Sequence, residues 1–153
     1  MDLILWRHAE AHEAAPGEDD MSRSLTPRGE RQAIRMAQWL ERQLPEGTRI
    51  LCSPAKRTEQ TAMALGRKYK LSSAITPQST ADMLLAAAQW PTSKNTVLVI
   101  GHQPTLGEAV SIVLGFQKPE CSVKKGAVWW LRSRLRQEGD QSILVTVQTP
   151  DML

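Results

Sequence analysis

The chain has 153 residues, of which 41% are hydrophobic and 23% charged, and this composition excludes a disordered or fibrous protein. The net charge of +3 suits anionic ligands, but the basic runs at residues 124–125 and 132–136 are too short to predict nucleic-acid binding and are interpreted as solvated surface. Because the longest apolar run, residues 83–88, is far shorter than a membrane span or a signal segment, we expect residues 1–153 to form a single cytoplasmic domain without membrane partners.

Hydrophobic periodicity divides the chain into alternating strands and helices. In chain order, the predicted elements are a strand at residues 3–6, a loop at 11–24, a helix from Thr26 and Pro27 to about residue 45, a strand at 49–52, helices at about 54–69 and 80–90, a strand at 96–100, a helix from Pro104 to about residue 115, and strands at 127–131 and 142–147. Short apolar runs are typical of strands buried on both faces, whereas apolar residues at three- and four-residue spacing indicate helices. Thr26 can cap the first helix, and Pro27 suits its first position.

The order of these elements predicts the fold class. Strands that alternate with helices indicate a parallel sheet covered by helices on both faces. The last two strands, joined by a polar turn around residues 138–140, form a hairpin that adds antiparallel pairing. We therefore predict a three-layer α/β/α sandwich with a central mixed, mostly parallel sheet.

Cationic and imidazole side chains follow three of the predicted strands. Arg7 and His8 come directly after the first strand, Arg57 follows the second, and His102 follows the third. Because the carboxyl ends of parallel strands meet at one edge of a sheet, we expect these four side chains to lie close together. The chain has three histidines, and the position of two of them at such ends favours one shared site.

Each of these residues also has an ordinary structural interpretation. An isolated histidine after a strand is usually a core or solvent-facing residue, and this interpretation applies to His8 or His102 taken alone. Arg57 taken alone would be a surface residue in a loose ion pair with Glu59. It is the joint occurrence of all four residues at strand ends that favours a functional site.

A phosphoryl group is the ligand that fits these residues. The guanidinium groups of Arg7 and Arg57 can each pair bidentately with phosphate oxygens. His8 can act as an unprotonated nucleophile and His102 as a hydrogen-bond donor, while the helix start after Gln103 adds backbone N–H donors for phosphate. We expect no metal or other cofactor, because the arginines neutralise the charge that magnesium neutralises in other phosphoryl-transfer enzymes.

Four sequence motifs closely resemble those of the histidine phosphatase superfamily, also called the phosphoglycerate mutase-like family. The motifs are LILWRHAEA at the amino end, LTPRGERQA at residues 25–33, SPAKRTEQTA at residues 53–62 and VLVIGHQP at residues 97–104. The resemblance implies that His8 is the phosphorylated nucleophile, Arg7 and Arg57 bind phosphate, and His102 is the second histidine of the site. The short chain resembles the SixA type of phosphohistidine phosphatase in particular.

The chain departs from the family pattern at two places. Ala9 follows His8 where the family commonly has glycine, and we expect alanine to be tolerated unless the backbone there requires glycine. A glutamate that serves as general acid in larger members has no convincing counterpart, since Asp82 is better interpreted as a helix-start residue. Asp20 resembles an acidic position of SixA-type members, so it is a candidate for orienting a group or supplying a proton, with a solvated loop charge as the alternative.

The missing acid bears on the expected substrate. An alkoxide needs protonation as it leaves phosphorus, whereas the imidazole of a phosphohistidine can depart as a neutral ring. We therefore expect hydrolysis of protein phosphohistidine through a phospho-His8 intermediate. The alternatives are a phosphatase for small organic phosphate esters and a non-catalytic phosphoprotein-binding module. The resemblance implies a histidine phosphotransfer domain or a phosphocarrier protein as partner.

Overall fold

The computed structural model describes residues 1–137 and 139–153, with the side chain of Arg136 outside the description. Its strands are β1 (Asp2–Arg7), β2 (Arg49–Cys52), β3 (Lys70–Leu71), β4 (Val97–Gly101), β5 (Val128–Arg136) and β6 (Gly139–Gln148). Its α-helices are α1 (Pro27–Gln43), α2 (Lys56–Met63), α3 (Ala81–Ala87) and α4 (Thr105–Leu114). Short 3-10 turns lie at Asp20–Ser22, Ser73–Ile75 and Pro150–Met152.

The strands form one mixed sheet in the order β3-β2-β4-β1-β5-β6. β1 pairs in parallel with β4, β4 with β2, and β2 with β3, whereas β5 is antiparallel to β1 and β6 is antiparallel to β5. Arg7 at the end of β1 pairs with Gly101 at the end of β4. Cys52 at the end of β2 is paired with Ile100 of β4. The residues that follow these three strands therefore emerge at the same edge of the sheet.

Helices cover both faces of the sheet. The face that carries Ile4 and Trp6 packs against α1 and α2, and the opposite face, which carries Leu3 and Leu5, packs against α3 and α4. These four side chains of β1 are fully buried, as expected of a parallel strand enclosed on both sides. The architecture confirms the predicted three-layer α/β/α sandwich with a mixed sheet.

The start of α1 lies directly against the chain that follows β1. The Thr26 hydroxyl accepts a hydrogen bond from the Gly29 backbone N–H at 3.0 Å and caps the helix, as the sequence predicts. A Cβ atom at Gly29 would lie 1.9 Å from the Glu10 carbonyl oxygen, so this close approach requires glycine.

On the same helix Met36 and Leu40 are fully buried, and burial of each stabilises the fold by roughly 1.5–3 kcal/mol.

Two helices are shorter than the sequence predicts. α2 ends at Met63 rather than near residue 69, and Gly66 then adopts a left-handed φ of 74° that a continuing helix cannot accommodate. α3 ends at Ala87 rather than near residue 90, and Gln89 follows with a φ of 58°. In both cases the apolar residues continue past the end of the helix, and buried residues there belong to the core although their backbone is not helical.

The strands also differ in extent from the prediction. β3 is a two-residue strand inside the segment predicted to follow the second helix, and the sequence analysis misses it. β5 and β6 extend well beyond the predicted limits of the closing hairpin. Of the predicted turn at residues 138–140, residue 138 lies outside the described residues.

Candidate active site

The four residues selected from the sequence line one pocket at the sheet edge, with a volume of about 260 Å³. It is lined by Arg7, His8, Ala11, Glu13, Arg23, Arg57, Pro77, His102, Gln103 and Lys125. β1 positions Arg7 and His8, β4 positions His102, and the first turn of α2 positions Arg57. The structure thus brings together side chains that lie up to 95 residues apart in the chain.

His8 is held as a neutral ring with one defined tautomer. Its side chain is 6% exposed, and Nδ1 lies 2.7 Å from the Ala9 carbonyl oxygen. A carbonyl oxygen can only accept, so Nδ1 donates its proton and Nε2 keeps its lone pair. Burial is the main cause that lowers the pKa of His8 to about 3; the hydrogen bond with Ala9 opposes this shift, and the nearby charges of Arg57 and Arg7 add to it. Nε2 is therefore available as a nucleophile at neutral pH.

His102 lies beside His8 and is fixed by a residue that the sequence analysis did not select. The two ring centroids are 5.3 Å apart with their planes tilted by 55°. His102 Nε2 lies 2.8 Å from the hydroxyl oxygen of Ser53, the residue that follows β2. When the hydroxyl donates to Nε2, the ring carries its proton on Nδ1, which has no partner among the described residues and can donate to an anion. Burial lowers the pKa of His102 to about 3.

The two arginines are oriented by oxygen atoms outside the pocket. Arg57 is 3% exposed, and it donates to the backbone carbonyl of Asp20 at 2.8 Å and to the carboxylate of Asp20 at 3.1 Å. Arg7 donates to the Val123 carbonyl at 2.9 Å. The buried Nε atoms of both arginines have no partner among the described residues. Each guanidinium group therefore keeps N–H donors for a phosphate oxygen.

Asp20 acts on the arginines from outside the pocket lining. Burial tends to raise the pKa of Asp20, but its hydrogen bonds and ion pairs with Arg57 and Arg23 outweigh burial and lower it. A carboxyl group with a lowered pKa is ionised at neutral pH, so it has no proton to donate there and is a good partner for a cation. Of the two roles considered for Asp20, the geometry favours orientation of Arg57.

Asp82 is exposed in the first turn of α3 and does not line the pocket, which fits its interpretation as a helix-start residue.

Gln103 lines the pocket, but its side-chain amide is engaged elsewhere. Its Nε2 donates to the Cys121 carbonyl at 2.8 Å, and its Oε1 accepts from the Gly107 backbone N–H at 2.7 Å. Gln103 can therefore contribute only its backbone N–H to anion binding.

Ala9 follows His8 where the family commonly has glycine. It is fully buried, its backbone N–H donates to Thr61, and its φ is not positive, so its position does not require glycine.

The structure adds pocket residues that the sequence analysis did not select. Arg23 and Glu13 belong to the predicted loop at residues 11–24 and lie over the pocket. Lys125, interpreted from the sequence as solvated surface, is exposed but lies on the pocket rim. The suggested pairing of Arg57 with Glu59 is wrong, because Glu59 accepts a hydrogen bond from Tyr69 and Arg57 pairs with Asp20. The resemblance of Asp20 to an acidic position of SixA-type members was the one sequence signal for this loop.

The described residues contain neither a side-chain cluster suited to a metal ion nor a helix suited to crossing a bilayer. Their His, Cys, Asp and Glu side chains form no group of three or more able to hold a metal ion. None of the described helices combines the length and the apolar character that crossing a bilayer requires.

Comparison with known proteins identifies the family of this chain. The model of the histidine phosphatase superfamily (branch 1) matches residues 3–81. The chain is 34% identical over 119 residues to the phosphohistidine phosphatase SixA of Escherichia coli, covering 72% of this chain and 73% of that protein. It is 29% identical over 134 residues to the SixA homolog of Haemophilus influenzae, covering 78% and 80%.

A solved structure agrees with these sequence relatives. The protein histidine phosphatase SixA complexed with tungstate superposes with a TM-score of 0.78 and 26% identity, over 99% of this chain and 98% of that chain. The fold, the motifs and the pocket thus lead to the same conclusion. The chain belongs to the histidine phosphatase superfamily, and it is a phosphatase.

Proposed function

We propose that this phosphatase hydrolyses phosphohistidine on proteins through a covalent intermediate on His8. The observation that carries the proposal is the neutral, buried His8 ring, whose Nδ1 proton is held by the Ala9 carbonyl while Nε2 keeps its lone pair. Two guanidinium groups and the second imidazole share the same pocket. An imidazole so placed is poised to attack a phosphorus atom bound between the two arginines.

The first step transfers the phosphoryl group. Nε2 of His8 attacks phosphorus in line, and a new P–N bond forms as the bond to the substrate nitrogen breaks. The substrate imidazole leaves with that electron pair and takes its proton from solvent. Arg7, Arg57 and His102 stabilise the negative charge on the equatorial oxygens during the transfer.

The second step restores the enzyme. Water attacks the phosphorus of phospho-His8, and the electron pair of the P–N bond returns to Nε2. Inorganic phosphate is released, and the water proton that is lost passes to phosphate or solvent. The proton of His8 stays on Nδ1, hydrogen-bonded to the Ala9 carbonyl, throughout both steps, so the same tautomer is ready for the next turnover.

Support for a protein substrate comes from the pocket and from the relatives. The pocket is small, at about 260 Å³, and its rim includes exposed side chains, so a phosphorylated side chain can enter while its protein stays outside. The relatives in Escherichia coli and Haemophilus influenzae are named phosphohistidine phosphatases, and a related structure holds tungstate, a tetrahedral oxyanion like phosphate. A histidine phosphotransfer domain or a phosphocarrier protein is the partner we propose, in the cytoplasm.

Glu13 favours a second candidate function. It is the one carboxylate that lines the pocket among the described residues, and a carboxyl group there can protonate an alkoxide leaving group. The alternative is therefore hydrolysis of small organic phosphate esters, with Glu13 as the acid. Glu13→Gln would abolish that reaction while sparing release of phosphate from phosphohistidine.

The test compares phosphate release from a phosphohistidine peptide and from sugar phosphates, with His8→Ala as control. The proposal expects preference for the peptide, a base-stable phosphoryl group trapped on His8, and no turnover by His8→Ala. A fully active His8→Ala protein would overturn the mechanism. A preference for sugar phosphates that depends on Glu13 would replace the proposed substrate with the second candidate.

A further inference from the structure

A second concave surface, lined by three arginines, lies on the outer side of α1. Its volume is about 160 Å³, and we call it the arginine groove; it is lined by Arg28, Arg31, Gln32, Arg35, Pro150 and Asp151. The three arginines are exposed to solvent. They follow each other at three- and four-residue spacing, so they project from the same side of the helix.

This arrangement is unfavourable for the isolated protein. Like charges three and four residues apart on a helix repel each other and destabilise it. Arg28 reaches the Glu10 carboxylate only at 4.0 Å, and within residues 1–137 and 139–153 neither Arg31 nor Arg35 forms an ion pair. Asp151 is the one acidic side chain among the lining residues. The groove therefore carries excess positive charge that an anionic partner would neutralise.

The arginine groove is connected to the active site through packed backbone. Gln32 of the groove accepts a hydrogen bond from the Glu10 backbone N–H at 3.0 Å, two residues after His8. On the other side, the Gly126 backbone N–H donates to the His8 carbonyl at 3.0 Å. A Cβ atom at Gly126 would lie 2.9 Å from Pro150 and 3.6 Å from the Cβ of Gln32, so this glycine lies against the groove wall.

Lys125 lies at the pocket, next in the chain to a residue that packs on the arginine groove. It lines the catalytic pocket and immediately precedes Gly126, which packs against the groove. The groove wall is thus one residue along the chain from the pocket lining, so a protein whose phosphohistidine enters the pocket would lie beside the arginine groove. Arginine suits such a contact, because its planar fork pairs with carboxylates and is enriched in protein interfaces.

We propose that the arginine groove binds an acidic surface of the phosphorylated protein beside its phosphohistidine. This inference rests on the proposed function for its location, and it adds the chemistry of the partner. Carboxylates of the partner would pair with Arg28, Arg31 and Arg35 while the phosphoryl group sits between Arg7 and Arg57. The contact would raise the affinity for the protein substrate and leave the chemistry at His8 unchanged.

Binding is tested first without catalysis. The probes are two fluorescein-labelled, unphosphorylated histidine peptides, one flanked by glutamates and one by glutamines, measured by fluorescence anisotropy. We expect the acidic peptide to bind about tenfold more tightly than the neutral one, with an advantage that shrinks as salt is raised. Arg31→Glu should remove that advantage. Arg42→Glu is the matched control, because Arg42 is exposed on the same helix but outside the groove, and it should change binding by about twofold or less.

Catalysis is tested second with the same two peptides after phosphorylation, and with phosphoramidate as a substrate without a peptide. Arg31→Glu should raise KM for the acidic peptide about tenfold with kcat unchanged, and should leave turnover of phosphoramidate unaffected. Equal effects of Arg31→Glu and Arg42→Glu, or equal binding of the two peptides by the unaltered protein, would overturn the proposal. If neither phosphopeptide is hydrolysed, the proposed function fails, and the anisotropy result still decides whether the groove binds acidic chains.

Discussion

Asp20 holds Arg57 through two groups at once: its backbone carbonyl accepts from one guanidinium nitrogen at 2.8 Å and its carboxylate accepts from the other at 3.1 Å. The loop at residues 11–24 is thereby tied to α2 across the mouth of the pocket. Because the same carboxylate also pairs with Arg23 at 3.0 Å, one exposed aspartate orients two of the cations that line the site. The loop therefore helps to position two cationic side chains of the pocket.

Replacement of Asp20 should weaken substrate binding and turnover together. Asp20→Ala removes the carboxylate that orients Arg57, and we expect kcat/KM to fall about tenfold in steady-state kinetics. Asp82→Ala is the control, since Asp82 is exposed in the first turn of α3 and does not line the pocket. A complete loss of activity in Asp20→Asn, which keeps the size of the side chain, would instead identify Asp20 as the proton donor.

Ser53→Ala should disturb the second histidine. Loss of the hydroxyl leaves the buried Nε2 of His102 without a partner, which costs about 1–3 kcal/mol of stability. The ring is then no longer held in the tautomer that presents Nδ1–H to the anion. We expect kcat to fall about tenfold, measured on a phosphohistidine peptide. Ser111→Ala, which removes another buried hydroxyl far along α4, should leave kcat unchanged. Equal kinetics for Ser53→Ala and the unaltered protein would contradict the assigned role.

The buried histidines should make stability depend on pH. His8 and His102 have folded-state pKa values of about 3, below the ordinary value of 6.5, so below about pH 6.5 the unfolded chain binds protons that the folded protein does not. The contribution of these two histidines to the free energy of unfolding is therefore fully present above about pH 6.5. It is lost as the pH falls towards about 3, by up to roughly 1.4 kcal/mol per pH unit for each histidine. Urea unfolding between about pH 7 and about pH 5 measures this slope. His102→Asn should make it shallower, and an unchanged slope would count against the assignment.

Gly29→Ala should destabilise the fold although alanine favours helices. The added Cβ would lie 1.9 Å from the Glu10 carbonyl oxygen, and displacement of that backbone costs about 1–3 kcal/mol, more than the roughly 1 kcal/mol gained in helix propensity. Gly47→Ala is the control, because a Cβ there meets nothing within 4 Å. Thermal unfolding should give a lower Tm for Gly29→Ala only. A raised Tm would show that α1 can move away from Glu10 at little cost.

The fold class followed from local pattern because buried parallel strands and amphipathic helices leave distinct periodicities. β3 was missed because two residues carry no period, and the helix ends after Met63 and Ala87 were misplaced because apolar residues continue beyond them. These residues are buried by tertiary packing, and hydrophobic periodicity alone does not distinguish such a non-helical buried segment from a helix. Gly66 was the available stop signal for α2.

The core of the site was predictable because strand ends have a fixed location in a parallel sheet. Arg7 ends β1, His8 and His102 directly follow β1 and β4, and Arg57 lies in the first turn of the helix after β2. Arg23 and Lys125 reach the pocket through loops whose path across the sheet edge is set by long-range contacts, such as the hydrogen bond from Gly126 to His8. No local pattern in the sequence encodes that path.

The position of β1 between β4 and β5 determines how the site responds to thermal fluctuation. Local opening of a sheet begins at its margins, here β3 and β6, whereas the amide protons of interior strands exchange with solvent mainly when the whole domain opens. His8 and His102 are attached to the neighbouring interior strands β1 and β4. The two imidazoles therefore keep their mutual geometry through partial openings, and catalytic competence should disappear cooperatively with the slowest-exchanging amides.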